Sequence, residues 1–141
     1  MPDSRPSADQ RTQVIARARN CCEYCMSQAR YAPESFSVEH IVPRAKGGQT
    51  KLNNLALACQ GCNNHKYTHT EAVDPVTGEV TPLFHPRQQR WGDHFAWTED
   101  FSQVVGLTPT GRATVETLQL NRPGVVNLRR ALHLIGKHPP P

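Results

Sequence analysis

An α+β fold is predicted for this chain of 141 residues: a metal-braced β-hairpin and helix, with an N-terminal helix before them and a C-terminal β-hairpin plus helices after. Three observations predict it. Four cysteines fall in two Cys-x-x-C pairs, Cys22/Cys25 and Cys59/Cys62, and that spacing lets a tight knuckle aim both sulfurs at one tetrahedral ion, the usual structural zinc (Zn2+) arrangement. The interval between the pairs exceeds the roughly 15 to 20 residues of a simple zinc ribbon, and its residues alternate apolar and polar at the period of a strand before giving way to a helix-sized segment. The chain is also short, so its core is modest and a metal brace compensates.

The elements follow in order. Residues 1–6, with two prolines, read as a frayed arm. Ser7-x-x-Gln10 is a capping box, and Val14, Ile15 and Ala18 give one apolar face to a helix ending near Asn20. A polar loop with Pro33 leads into a strand over residues 36–42, stopped by Pro43 and the flexible Lys46-Gly47-Gly48. Residues 55–58 fit a second strand. Residues 60–66 turn into a helix with Asn63 near its first turn, so a hairpin and helix closed by zinc bring Glu39 and Asn63 together. Cys21, a fifth cysteine, reads as a small buried side chain.

Beyond Lys66, Asp74-Pro75-x-x-Gly78 signals a turn, and a short strand over residues 79–83 is confined by Pro82 to an edge or to its own end. Phe84, Trp91, Phe95 and Trp97 read first as a small core and second as stacking surfaces. His65, His69, His85 and His94 read as surface residues or hydrogen-bonded braces, with extra metal ligation the alternative. Residues 95–97 and 104–107 form a hairpin across Glu99-Asp100. Thr108-Pro109-Thr110 opens a helix with Ala113, Val115, Leu118 and Leu120 as its apolar positions; it stops near Asn121, before Pro123 and Gly124. Residues 125–135 fit a last helix. From Gly111 onward Arg112, Arg122, Arg129, Arg130 and Lys137 stand against a single acid, Glu116, and this basic tail either extends a binding face or packs on the core. No repeat or second domain is legible, so residues 1–141 are taken as a single domain, with a core of about residues 8–100 and an extension of about residues 101–138.

The string E-H-I-V-P-x-x-x-G-G, then N-N-L, then C-x-x-C-N-x-x-K resembles the HNH endonuclease family and its ββα-metal (HNH/His-Me finger) fold, in the subgroup braced by two Cys-x-x-C knuckles. The resemblance covers residues 17–66. It implies that His40 is the general base that activates water, that Glu39 just before it binds the metal, and that Asn54 is the central asparagine that fixes the loop and so orients the base. Asn63 takes the last motif position, where many members have a second histidine, and Tyr67 stands where some relatives carry a further histidine ligand. The implied reaction is hydrolysis of DNA with a single metal, leaving 5′-phosphate and 3′-hydroxyl ends.

Physical chemistry supports the same roles. A phosphodiester anion resists attack by another anion, so cleavage needs a cation to neutralise developing charge and a base to deprotonate water. Glu39 and Asn63 offer hard oxygen ligands, which favour Mg2+ or Mn2+ over metals that prefer imidazole. His40, with an ordinary pKa of about 6.5, can accept a proton near neutrality. Arg44, Lys46 and Lys51 cluster beside these residues and read as DNA-backbone contacts, and Lys66 is placed with them; Arg11, Arg17 and Arg19 divide evenly between a solvated helix face and phosphate contacts. A net charge of +4 and a pI near 9.0 suit a polyanionic partner but do not identify one. A polar start without a signal-peptide core, and no apolar stretch of roughly 18 residues, point to a cytoplasmic protein with reduced cysteines and no membrane partner. Two readings compete with a DNA endonuclease: a zinc-stabilised nucleic-acid-binding module without catalysis, which would not need Glu39, His40 and Asn63, and an RNA nuclease.

Overall fold

Ser7 starts the first helix of the computed structural model, which describes residues 5–141; residues 1–4 of the expected arm lie outside them. In α1 (Ala8–Arg17) the Ser7 hydroxyl accepts from the Gln10 amide at 3.1 Å while the Gln10 side-chain oxygen accepts from Ser7 N at 2.9 Å, the reciprocal capping that the sequence signals. The helix ends earlier than expected because Arg19 and Asn20 take left-handed backbone angles, φ 53° and 57°, and turn the chain into the first knuckle.

β1 (Ser37–His40) and β2 (Leu55–Ala58) pair antiparallel, with Glu39 opposite Ala56 and His40 opposite Leu55. All four residues of β2 are buried, yet among the described residues one of its edges has no partner strand. Side chains and the first knuckle satisfy that edge instead: Glu23 N donates to Leu57 O at 2.9 Å, Leu57 N donates to Glu23 Oε2 at 2.8 Å, and the Arg17 guanidinium bonds Leu55 O. Arg11 donates to Phe36 O at 2.9 Å. Both arginines of α1 are therefore braces of the hairpin backbone. α2 (Gln60–Lys66) follows β2 directly, as expected.

The second half wraps this unit. β3 (Glu71–Val73) and β4 (Val80–Pro82) form a hairpin around Asp74, which is fully buried and receives Arg112 Nε at 2.9 Å and Nη2 at 2.7 Å. β3 and the short helix α3 (Trp91–His94) are absent from the sequence reading. β5 (Phe95–Trp97) pairs with β6 (Val104–Gly106), and α4 (Pro109–Leu118) is capped by Thr108 Oγ1, which accepts from Gly111 N at 3.0 Å. α5 (Pro123–Leu134) starts at the proline that reads in sequence as a stop; a first-turn residue needs no intrahelical N–H, so proline fits there. Phe84 and Phe95 pack edge to face, ring centroids 5.2 Å apart, and Trp91 lies 5.2 Å from both Phe95 and Trp97. These aromatics are core. Trp91 Nε1 donates to Tyr24 O at 2.9 Å, tying that core to the first knuckle.

Candidate functional site

The four knuckle cysteines are buried and unpaired in disulfides, and their sulfurs all lie within 4.8 Å of one another. A tetrahedral ion with Zn–S near 2.3 Å sets its sulfurs about 3.8 Å apart; Cys25 and Cys59 are at 3.6 Å, so the four thiolates fit zinc. Among the described residues they are the one group of three or more His, Cys, Asp or Glu placed to share a metal, and His65, His69, His85 and His94 build no second group. Cys59 is also the N-cap of α2, its sulfur accepting from Cys62 N at 3.4 Å. The C-terminal half adds what sequence reasoning did not single out. Arg122 places Nη2 3.1 Å from Cys59 Sγ and Nη1 3.6 Å from Cys62 Sγ, a cation on a cluster of thiolates. A Cβ at residue 61 would fall 2.5 Å from Arg122 Nη2, so a side chain there would push the guanidinium off this seat.

Successive residues of a strand point to opposite faces, and β1 uses this to separate Glu39 from His40. Glu39 points inward and is 7 % exposed. The Tyr24 hydroxyl donates to Glu39 Oε1, and Lys66 Nζ donates to Oε2 at 3.1 Å and to Ile41 O at 2.8 Å. Burial pushes the Glu39 carboxyl above its ordinary range, against the opposing pull of the Lys66 ammonium and Tyr24. Lys66, read in sequence as a nucleic-acid contact, is 1 % exposed and presents no charge to a surface phosphate; its charge goes to Glu39. Lys66, not Asn63, is the α2 side chain bonded to Glu39, and Asn63 lies one turn earlier on the same helix face.

His40 points the other way. Its Nε2 is 2.8 Å from Thr50 Oγ1, which also accepts from Arg44 Nη1 at 3.2 Å. Burial first, then the Arg44 charge, pull the His40 pKa below its ordinary value. Asn54 closes the loop between the strands: Oδ1 accepts from Val42 N at 2.9 Å, and Nδ2 donates to Val42 O at 3.0 Å and Gln49 O at 2.9 Å. The loop is drawn so tight that a Cβ at Gly48 would meet Val42 O at 1.7 Å. Lys46 and Lys51 are exposed on this loop beside Arg44. Thr50 and Tyr24 carry no sequence signal of their own, since a loop threonine and a tyrosine between cysteines are each ordinary; their roles come from what they touch.

Comparison with known proteins adds three findings. Septu protein PtuB of Bacillus thuringiensis is 25% identical over 113 residues, covering 77% of this chain. The chain spans 40% of that relative's length. No solved structure matches. Residues 22–69, the span that holds both knuckles, the Glu39-His40 pair, the Asn54 loop and α2, match the family model described as HNH endonuclease, and the hairpin, loop and helix described above are the elements that the match covers.

Proposed function

We propose that the chain is an endonuclease that hydrolyses DNA phosphodiester bonds, with His40 as general base. The observation that carries this reading is the His40–Thr50–Arg44 arrangement on a loop locked by Asn54, inside the matched domain. With Nε2–H donating to Thr50 Oγ1, the other ring nitrogen, Nδ1, keeps its lone pair for a water proton. Arg44 and burial keep the ring neutral, as a base must be. Asn54 holds the backbone that follows His40 and so fixes the direction of the imidazole. Arg44, Lys46 and Lys51 supply positive charge where a DNA backbone would lie.

The donors Glu39 and Asn63 are hard oxygens that fit Mg2+ or Mn2+, and such an ion would stabilise the charge developing on the phosphate and the leaving 3′ oxygen. Nicking of supercoiled plasmid, with single-stranded DNA and RNA in parallel, tests the reading. His40→Ala is expected to stay folded and zinc-loaded, bind DNA, and cut about a hundredfold or more slowly, the scale of general-base catalysis. Wild-type cutting by folded His40→Ala would reject the assignment, and cutting of RNA in preference to DNA would reassign the substrate.

A further inference from the structure

We infer that Lys66 is the resident counter-cation of Glu39, so that the free protein holds its activating ion weakly and the substrate phosphate completes the binding site. The inference rests on Glu39 being a ligand of that ion, as proposed above.

The charges of Glu39 and of the side chain bonded to it cancel at the buried end of the site. Glu39 brings one negative charge. Lys66 Nζ, 3.1 Å away, brings one positive charge, and Asn63 brings none. A protein site for a hard divalent cation draws its affinity from carboxylate charge, and magnesium in particular is commonly held by one or two carboxylates together with substrate phosphates. Here the one carboxylate is already neutralised.

Lys66 is not free to leave when an ion arrives. Its ammonium is also anchored on Ile41 O at 2.8 Å, and its stem closes α2 in the core. Glu39 is equally fixed, since the Tyr24 hydroxyl bonds its other oxygen. A carboxylate has about four lone-pair positions, so these two bonds leave Glu39 able to ligate, but with its charge offset. A phosphodiester bound along Arg44, Lys46 and Lys51 would bring an anionic oxygen directly to the ion, the charged ligand that the neutralised Glu39 no longer supplies. The device therefore couples metal loading to the presence of substrate and keeps a metal-charged nuclease scarce when no DNA is bound.

Electron paramagnetic resonance of Mn2+, titrated into zinc-loaded His40→Ala protein with and without duplex DNA, tests this without any turnover. DNA binds manganese on its own, so the signal counted is the part that Glu39→Gln removes. The expected result is a dissociation constant at least tenfold tighter with DNA than without it, and a gain of at least tenfold in the free protein on Lys66→Met, with Lys66→Arg staying weak. Equal affinity with and without DNA would overturn the inference, and this comparison needs no change at Lys66 should Lys66→Met lose its fold. Folded, zinc-loaded Lys66→Met with unchanged free-state affinity would overturn it as well. If Glu39→Gln removes no signal in any state, the assignment of Glu39 as a ligand is what has failed.

Discussion

His40 sits where a small environmental change decides its charge. Its pKa is depressed, so the neutral, proton-accepting form persists below the ordinary 6.5, and the acid limb of cleavage rate against pH is expected below that value. Arg44→Gln removes one of the two causes and should move the limb upward while burial keeps it under 6.5; the position of the limb, not the absolute rate, is the readout, because Arg44 also lies on the proposed DNA face. The sign for stability follows from the same depression: the folded state resists protonation, so the contribution of neutral His40 is present above about pH 6.5 and is lost as pH falls toward the depressed value. How much of this was legible differs from residue to residue. The E-H pair and Asn54 are readable because their neighbours in sequence form a dense motif. The bond between Lys66 and Glu39 is not, because the residues are far apart in the chain and a lysine at a helix end reads as one more surface cation until burial is known.

α2 and the residue that caps it concentrate three tasks. Cys59 caps it, Cys62 belongs to the four-cysteine cluster, and Lys66 reaches Glu39. A helix this short has no stability of its own in water, so the metal cluster and core packing hold it. Removing zinc by chelation, or Cys59→Ser, is therefore expected to open α2 ahead of the rest, with amide hydrogen exchange over residues 60–66 accelerating by about tenfold or more relative to α4. Equal acceleration in both helices would show that zinc holds the whole domain and not this helix in particular. The hairpin and α2 were readable as elements because strand alternation and Cys-x-x-C spacing coincide there. β3 was not: Glu71-Ala72-Val73 offers three residues, one of them apolar and exposed, and its strand form comes from pairing with β4. The start of α5 is not legible in the sequence because proline both ends helices and begins them, and only the backbone distinguishes the two.

The whole molecule is closed by its C-terminal half. Arg129, 3 % exposed, donates to Cys25 O at 3.2 Å, Leu120 O at 2.8 Å and Ser102 O at 3.1 Å, joining the first knuckle, the end of α4 and the β5–β6 turn through one side chain. Arg129→Met leaves those buried carbonyls without a donor and should destabilise the protein by about 2–4 kcal/mol, a fall in melting temperature on the order of 10 °C. Calorimetry of zinc-loaded protein checks this, and a fall of only about 1 °C would mean that the carbonyls find other partners. The seat of Arg122 over the Cys59 and Cys62 sulfurs also bears on synthesis. At ordinary elongation rates Arg129 leaves the ribosome about 3–13 s after Cys62, and Arg122 only shortly before it. During that interval all four thiols are translated while Arg122 and Arg129, which will cover them, are not, so a metal ion of the kind the cluster fits would meet a more open face then than in the folded protein.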